Sequence, residues 1–113
     1  MGSNRQIEMR EMSNFAPSKE NLFVYGSLKY KPARDLLGDC VFVQRSSVKG
    51  KLFLVENQYP GYVPGRGLVF GEIYTVENGQ FDQIDEYEGD LYLRRKIMTT
   101  SQIECWIYEY IRS

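Results

Sequence analysis

The sequence contains no histidine among its 113 residues, and that absence removes several kinds of chemistry at once. A Ser-His-Asp triad, a Cys-His pair and the usual imidazole-bearing zinc and iron sites all depend on it. Any proton carrier must therefore be a carboxylate, a lysine, a tyrosine or a cysteine. Cysteine is nearly missing too. Cys40 and Cys105 stand in no metal-ligand spacing and do not suggest a disulfide framework. No apolar run comes near the roughly 20 residues that a membrane-crossing helix needs. The N-terminus lacks the apolar core of a secretory signal, so the expected compartment is the cytoplasm. An excess of charge of one sign is absent as well, since 14 basic and 15 acidic residues give a formal net charge of −1. Nucleic acid and anionic lipid both recruit clustered positive charge. The short basic groups Lys29, Lys31, Arg34 and Arg94, Arg95, Lys96 read as solvated faces. Neither nucleic acid nor a membrane is an expected partner.

What is present suits one small sheet-rich domain. Apolar residues make up 42% and aromatic residues 14% of the chain, with nine Tyr and six Phe whose flat rings pack well on pleated surfaces. Residues 1–20 are polar without a sustained period and read as a loosely ordered N-terminal arm; residues 21–113 form the expected domain. Leu22-Phe23-Val24-Tyr25 is a short apolar run stopped by Gly26-Ser27, the form of a buried strand entering a tight loop. Residues 32–37 suit a short helix bounded by Pro32 and Gly38. Residues 41–45 and 48–55 read as strands with Gly50 as a bulge or a close-approach point, 59–67 as a Pro/Gly loop, and 68–76 as a further strand ending at Asn78-Gly79. Helical spacing follows over 80–88 and stops at Gly89. Residues 91–99 and 103–111 form an expected hairpin. Both faces of its second strand are apolar, which points to a curved sheet or small barrel.

In the expected helix, Phe81 and Ile84 define the apolar stripe, and Asp85 and Glu88 continue it at the i+4 and i+7 positions. Burying an uncompensated carboxylate is costly, so the pattern calls for an explanation. One is structural: Asp85 or Glu88 pairs with Arg94 or Arg95. The other is chemical: Glu88 enters a cleft as a proton carrier, its pKa raised by burial and by the electron-rich end of the helix. The Tyr25-Gly26-Ser27-Leu28 segment likewise has two readings. It is an ordinary strand-to-loop turn, or a loop whose free amides and hydroxyls hold a carboxylate or an oxyanion.

Phe23-Val24-Tyr25-Gly26-Ser27-Leu28 resembles the opening strand and loop of the γ-glutamylcyclotransferase-like family, with its small bacterial and plant AIG2-like members. Ile84-Asp85-Glu86-Tyr87-Glu88-Gly89 and Tyr92-Leu93-Arg94 resemble its acidic signature. Residues 48–53, 59–61 and 69–74 resemble the strands and loop between, so the likeness runs in order from about residue 21 to 111. The resemblance implies an α+β fold, a small mixed β-barrel with short helices and a cavity at its mouth. It implies release of 5-oxoproline and an amine or amino acid from a small γ-glutamyl compound, without metal or cofactor. Carried over by position, Glu88 is the acid/base and Tyr25, Gly26, Ser27 and Leu28 hold substrate, with Tyr92 as a wall. The alternative within the same fold is a non-catalytic domain that binds small carboxylates. The chain departs from many relatives in the compact segment 29–38, which lacks a His- or Asn-bearing stretch.

Overall fold

The structure, a computed structural model, describes residues 18–29, 31–56 and 59–111. The expected N-terminal arm lies outside the described residues up to position 17, and Lys19 and Glu20 already belong to the first strand. Five strands follow in chain order: β1 (Lys19–Val24), β2 (Val41–Val55), β3 (Tyr59–Glu77), β4 (Tyr92–Met98) and β5 (Glu104–Tyr110). The one α-helix among the described residues, α1 (Phe81–Glu88), joins β3 to β4. The sheet order is β2-β3-β1-β5-β4, with β1 antiparallel to β3 and parallel to β5. This is the expected mixed α+β architecture. The barrel, however, is open: β2 and β4 end the sheet order as edges, and only β3 and β5 make an additional contact across it.

That contact explains the position of the site. β1 stops at Val24, and past its end the flanking strands β3 and β5 meet directly at Tyr62 and Glu109. The sheet curls where its central strand runs out. Alternation along β1 serves both faces. Leu22 and Val24 join Leu28, Leu37, Phe81, Ile84 and Tyr108 under the helix, whereas Phe23 packs with Val48, Val69, Ile73 and Ile107 on the other side.

Two sequence readings need correction. Residues 59–67, expected as a loop from Pro60, Pro64 and three glycines, form the first half of β3, and 59–63 of them pair with residues 51–55 of β2. The Tyr62 N–H donates away from β2, to the Tyr25 hydroxyl. Strand alternation turns the nitrogen of Pro60 to that same side, so it removes no bond to β2, and Pro64 falls in the stretch 64–67 that lies outside the β2 register. The two strands expected over 41–45 and 48–55 are one strand with register shifts at Phe42/Gln44 and Lys49/Lys51. At the second shift the single residue Gly50 stands opposite four residues of β3, 64–67, so the extra residues lie on β3; Gly50 is instead a point of close approach, where a Cβ would collide with the Tyr62 ring. The short helix expected over 32–37 is a 3₁₀ helix, Ala33–Leu37. The Gln80 amide donates to the Leu36 carbonyl at 3.0 Å, fastening this helix to the start of α1.

Candidate active site

The site forms where β1 ends. The Tyr25 hydroxyl donates to the Tyr108 carbonyl of β5 at 2.6 Å and accepts from the Tyr62 N–H of β3 at 2.9 Å. One side chain thus bridges the two strands that β1 no longer separates. Burial pushes the Tyr25 phenol well above its ordinary pKa, so the hydroxyl stays protonated and keeps both bonds. The chain then leaves the sheet through a 3₁₀ turn, Ser27–Lys29, closed by the Lys29 N–H on the Gly26 carbonyl at 3.0 Å. A turn of that kind satisfies amides only from its fourth residue onward, so those of Gly26, Ser27 and Leu28 have no acceptor within it. Leu28 is buried and anchors the turn in the core. A Cβ at Gly26 would lie 3.5 Å from Pro60 Cγ, an ordinary contact. The protein therefore has room for a side chain here, and what glycine keeps open is the space between loop and Pro60.

Glu88 is the last residue of α1, and Gly89 ends the helix with a positive φ of 77° and an N–H bond to the Asp85 carbonyl. The Glu88 side chain is half-buried and, among the described residues, is in no ion pair or hydrogen bond. Burial without a partner pushes its carboxyl from the ordinary 4.5 up to about 7. Negative charge at a helix C-terminus acts in the same direction. A carboxyl group with a pKa near neutrality is equally ready to take and to give a proton.

Asp85, one turn earlier, has the structural role. Its two oxygens accept from Arg94 Nε and Nη2 at 3.0 and 3.2 Å, and Oδ1 also accepts from the Tyr108 hydroxyl at 2.6 Å. Arg94 lies over the Phe81 and Trp106 rings at 4.3 and 4.6 Å, so its stem and its charge are both engaged. The arrangement clamps α1 to β4 and β5 and thereby fixes where Glu88 points. Asp85→Asn is expected to destabilise the protein by about 1 kcal/mol, because this ion pair is partly solvated. A lowered denaturant midpoint with unchanged slope would register it.

Tyr25, Gly26, Ser27, Leu28, Glu88 and Tyr92 all line one cavity of about 310 Å³. The Tyr92 phenol is pushed up to about 12 by burial and by the charges of Glu88 and Glu56 nearby. Sequence reasoning missed Glu56, Tyr59, Pro60, Tyr87 and Tyr108, which line the same cavity. Tyr87 bonds through its hydroxyl to Ser27 Oγ at 2.7 Å, tying the loop to the helix. Glu56 directly follows the end of β2 and Tyr59 opens β3, and only the tertiary fold brings these two residues to the cavity at the end of α1. Among the described residues, no group of three or more His, Cys, Asp or Glu is arranged to hold a metal ion, and no helix is long and apolar enough to cross a membrane.

Comparison with known proteins bears on this arrangement. The protein YtfP of Escherichia coli K12, a γ-glutamylcyclotransferase family protein, is 34% identical over 100 residues, which span 80% of this chain and 82% of that one. A γ-L-glutamyl-butirosin B γ-glutamyl cyclotransferase of Niallia circulans is 37% identical over 75 residues, 60% of this chain but only 45% of that longer protein. A crystal structure of a protein from Pyrococcus horikoshii superposes with a TM-score of 0.70 at 26% identity, covering 83% of this chain and 80% of the other. The family model described as "Gamma-glutamyl cyclotransferase, AIG2-like" matches residues 22–113, the stretch that starts in β1 and carries both Tyr25–Leu28 and Glu88. On that match the chain belongs to the AIG2-like γ-glutamylcyclotransferase family.

Proposed function

We propose that the protein is a γ-glutamylcyclotransferase that releases 5-oxoproline and an amine from a small γ-glutamyl compound, with Glu88 as general acid/base. The observation that carries this reading is an unpaired, desolvated carboxyl with a pKa near 7, in one cavity with a loop of unengaged amides.

In such a substrate the α-ammonium lies a few bonds from the γ-carbonyl it must attack. Glu88 takes a proton from the ammonium, and the free amine adds to the γ-carbon. The new ring C–N bond forms, the old amide C–N bond breaks, and the departing nitrogen is protonated through Glu88. Two protons leave the attacking nitrogen and two arrive on the departing one, so the products are the lactam and an ammonium. The reaction is redox-neutral and calls for no electron carrier. Amides of the Tyr25–Leu28 segment supply donors for the substrate carboxylate or for the oxyanion that forms on the γ-carbonyl. Because the attack is intramolecular, much of the enzyme's task is to hold the chain folded in a cavity of limited volume.

The experiment is incubation with a panel of γ-glutamyl amides, amino acids and short peptides, with 5-oxoproline and the released amine quantified by chromatography. Equal amounts of the two products are expected. Thermal stabilisation by panel members without any 5-oxoproline would overturn this reading in favour of a carboxylate-binding domain. The absence of any lysine or arginine among the described lining residues speaks against that second reading.

A further inference from the structure

Both charged side chains that line the cavity among the described residues are acidic, Glu88 and Glu56. The first has a task in the proposed reaction. The second has none, because a γ-glutamyl group brings its own α-ammonium and α-carboxylate and is neutral overall. Several other carboxylates are matched by cations: Asp85 by Arg94, Glu109 by Arg95, Glu20 by Lys96. Glu56 forms no ion pair among the described residues and lies exposed just past the end of β2. Glu56 nonetheless lines the cavity together with Tyr92 of β4 and Tyr59 of β3, so a ligand held there lies within reach of its charge.

The γ-glutamyl part of any substrate is constant and must reach Glu88. The variable, amine-side part extends toward solvent, where Glu56 stands. We propose that Glu56 is a specificity-determining residue that favours γ-glutamyl compounds whose amine-side portion carries a positive charge, such as a diamine or a basic amino-acid derivative. This rests on the reading given under Proposed function. An anionic amine-side portion would meet like charge from Glu56 with no lining cation to offset it, and a neutral one would gain nothing from it. Because Glu56 is solvated, its effect is modest, about fivefold in kcat/KM between a cationic and a neutral amine of equal length. It declines as salt is added.

The test compares γ-glutamylputrescine, γ-glutamylbutylamine and a γ-glutamyl conjugate of 4-aminobutyrate, similar in length and differing in terminal charge. The expected order of kcat/KM is cationic, then neutral, then anionic, and Glu56→Gln should bring the cationic-to-neutral ratio close to one. A ratio near one in the unaltered protein, or a ratio that survives Glu56→Gln, overturns the proposal. The same three compounds are titrated calorimetrically into Glu88→Gln protein, with and without Glu56→Gln, so charge selection is read without turnover. If no compound yields 5-oxoproline yet the binding order holds, the catalytic reading fails and the role of Glu56 stands. If turnover occurs without charge preference, the reverse is true.

Discussion

Glu88→Gln is expected to abolish 5-oxoproline release and, at pH 8, to make the protein more stable. The loss of activity follows from the role given to the carboxyl. An amide of the same shape neither accepts nor delivers the proton, and removing a positioned acid/base lowers rates about a hundred- to ten-thousandfold. The gain in stability follows from the same burial. Glu88 has its pKa raised from 4.5 to about 7 in the folded chain. Between those values the native state holds a proton that the unfolded state has released. The contribution of Glu88 to stability is therefore fully present below pH 4.5, falls as pH rises, and is lost above about pH 7. The shift corresponds to roughly 3 kcal/mol. Gln is neutral at every pH and escapes the penalty, so the variant's advantage in denaturant titrations should be largest at pH 8 and vanish near pH 4.5. In the unaltered enzyme, kcat/KM should fall below about pH 7 as Glu88 protonates in the free protein. A variant no more stable than its parent at pH 8 would show that the carboxyl is not desolvated as described.

Tyr25→Phe is expected to lower stability by about 2 kcal/mol and kcat/KM by about tenfold. The ring remains, but the Tyr62 N–H loses its acceptor and the Tyr108 carbonyl loses its donor. An unsatisfied buried amide is the more damaging of the two, because it was desolvated on folding and gains nothing in return. Activity should suffer because the bridge fixes the origin of the Gly26–Leu28 turn. Hydrogen exchange gives a local readout: the Tyr62 amide should exchange much faster in the variant while amides deep in β1 keep their protection. The acid limb of the pH profile should stay near 7, since Tyr25 carries no proton to the substrate. Unaltered protection at Tyr62 would contradict the bridge.

Much of this site could be read from residue order because its parts lie on regular elements. The apolar run into Gly26-Ser27 and the carboxylates on the stripe of α1 are local patterns, and a strand end and a helix end realise them. Whether Asp85 or Glu88 would find the arginine was open from spacing alone. It is settled by β4, which presents Arg94 beside the earlier turn of α1 and leaves the last turn to the cavity. The first half of β3 was illegible for a different reason. Proline and glycine punctuate loops on average, and only the knowledge that Pro60 faces away from β2 and that Pro64 falls outside the paired register makes them compatible with a strand. Glu56 and Tyr59 carry no local signal at all, since their relation to Glu88 exists only after the sheet has curled. The open barrel has the same origin: two apolar faces on β5 require cover, which the helix and the inner core provide without full closure.

The cavity draws its walls from two kinds of structure. The proposed acid/base, Glu88, and the amide loop are built into the ends of α1 and β1, clamped by Asp85, Tyr25 and Leu28. Glu56 follows the end of β2 and Tyr59 opens β3, at one end of a long hairpin. On the proposed reading, reaction chemistry and choice of amine are therefore carried on separately mutable segments. Insertions or exchanges in the β2–β3 connection should alter the accepted amine with little effect on folding, whereas changes near the end of β1 disturb both. Divergence within such a scaffold has an easy route to new substrates and a hard one to new reactions.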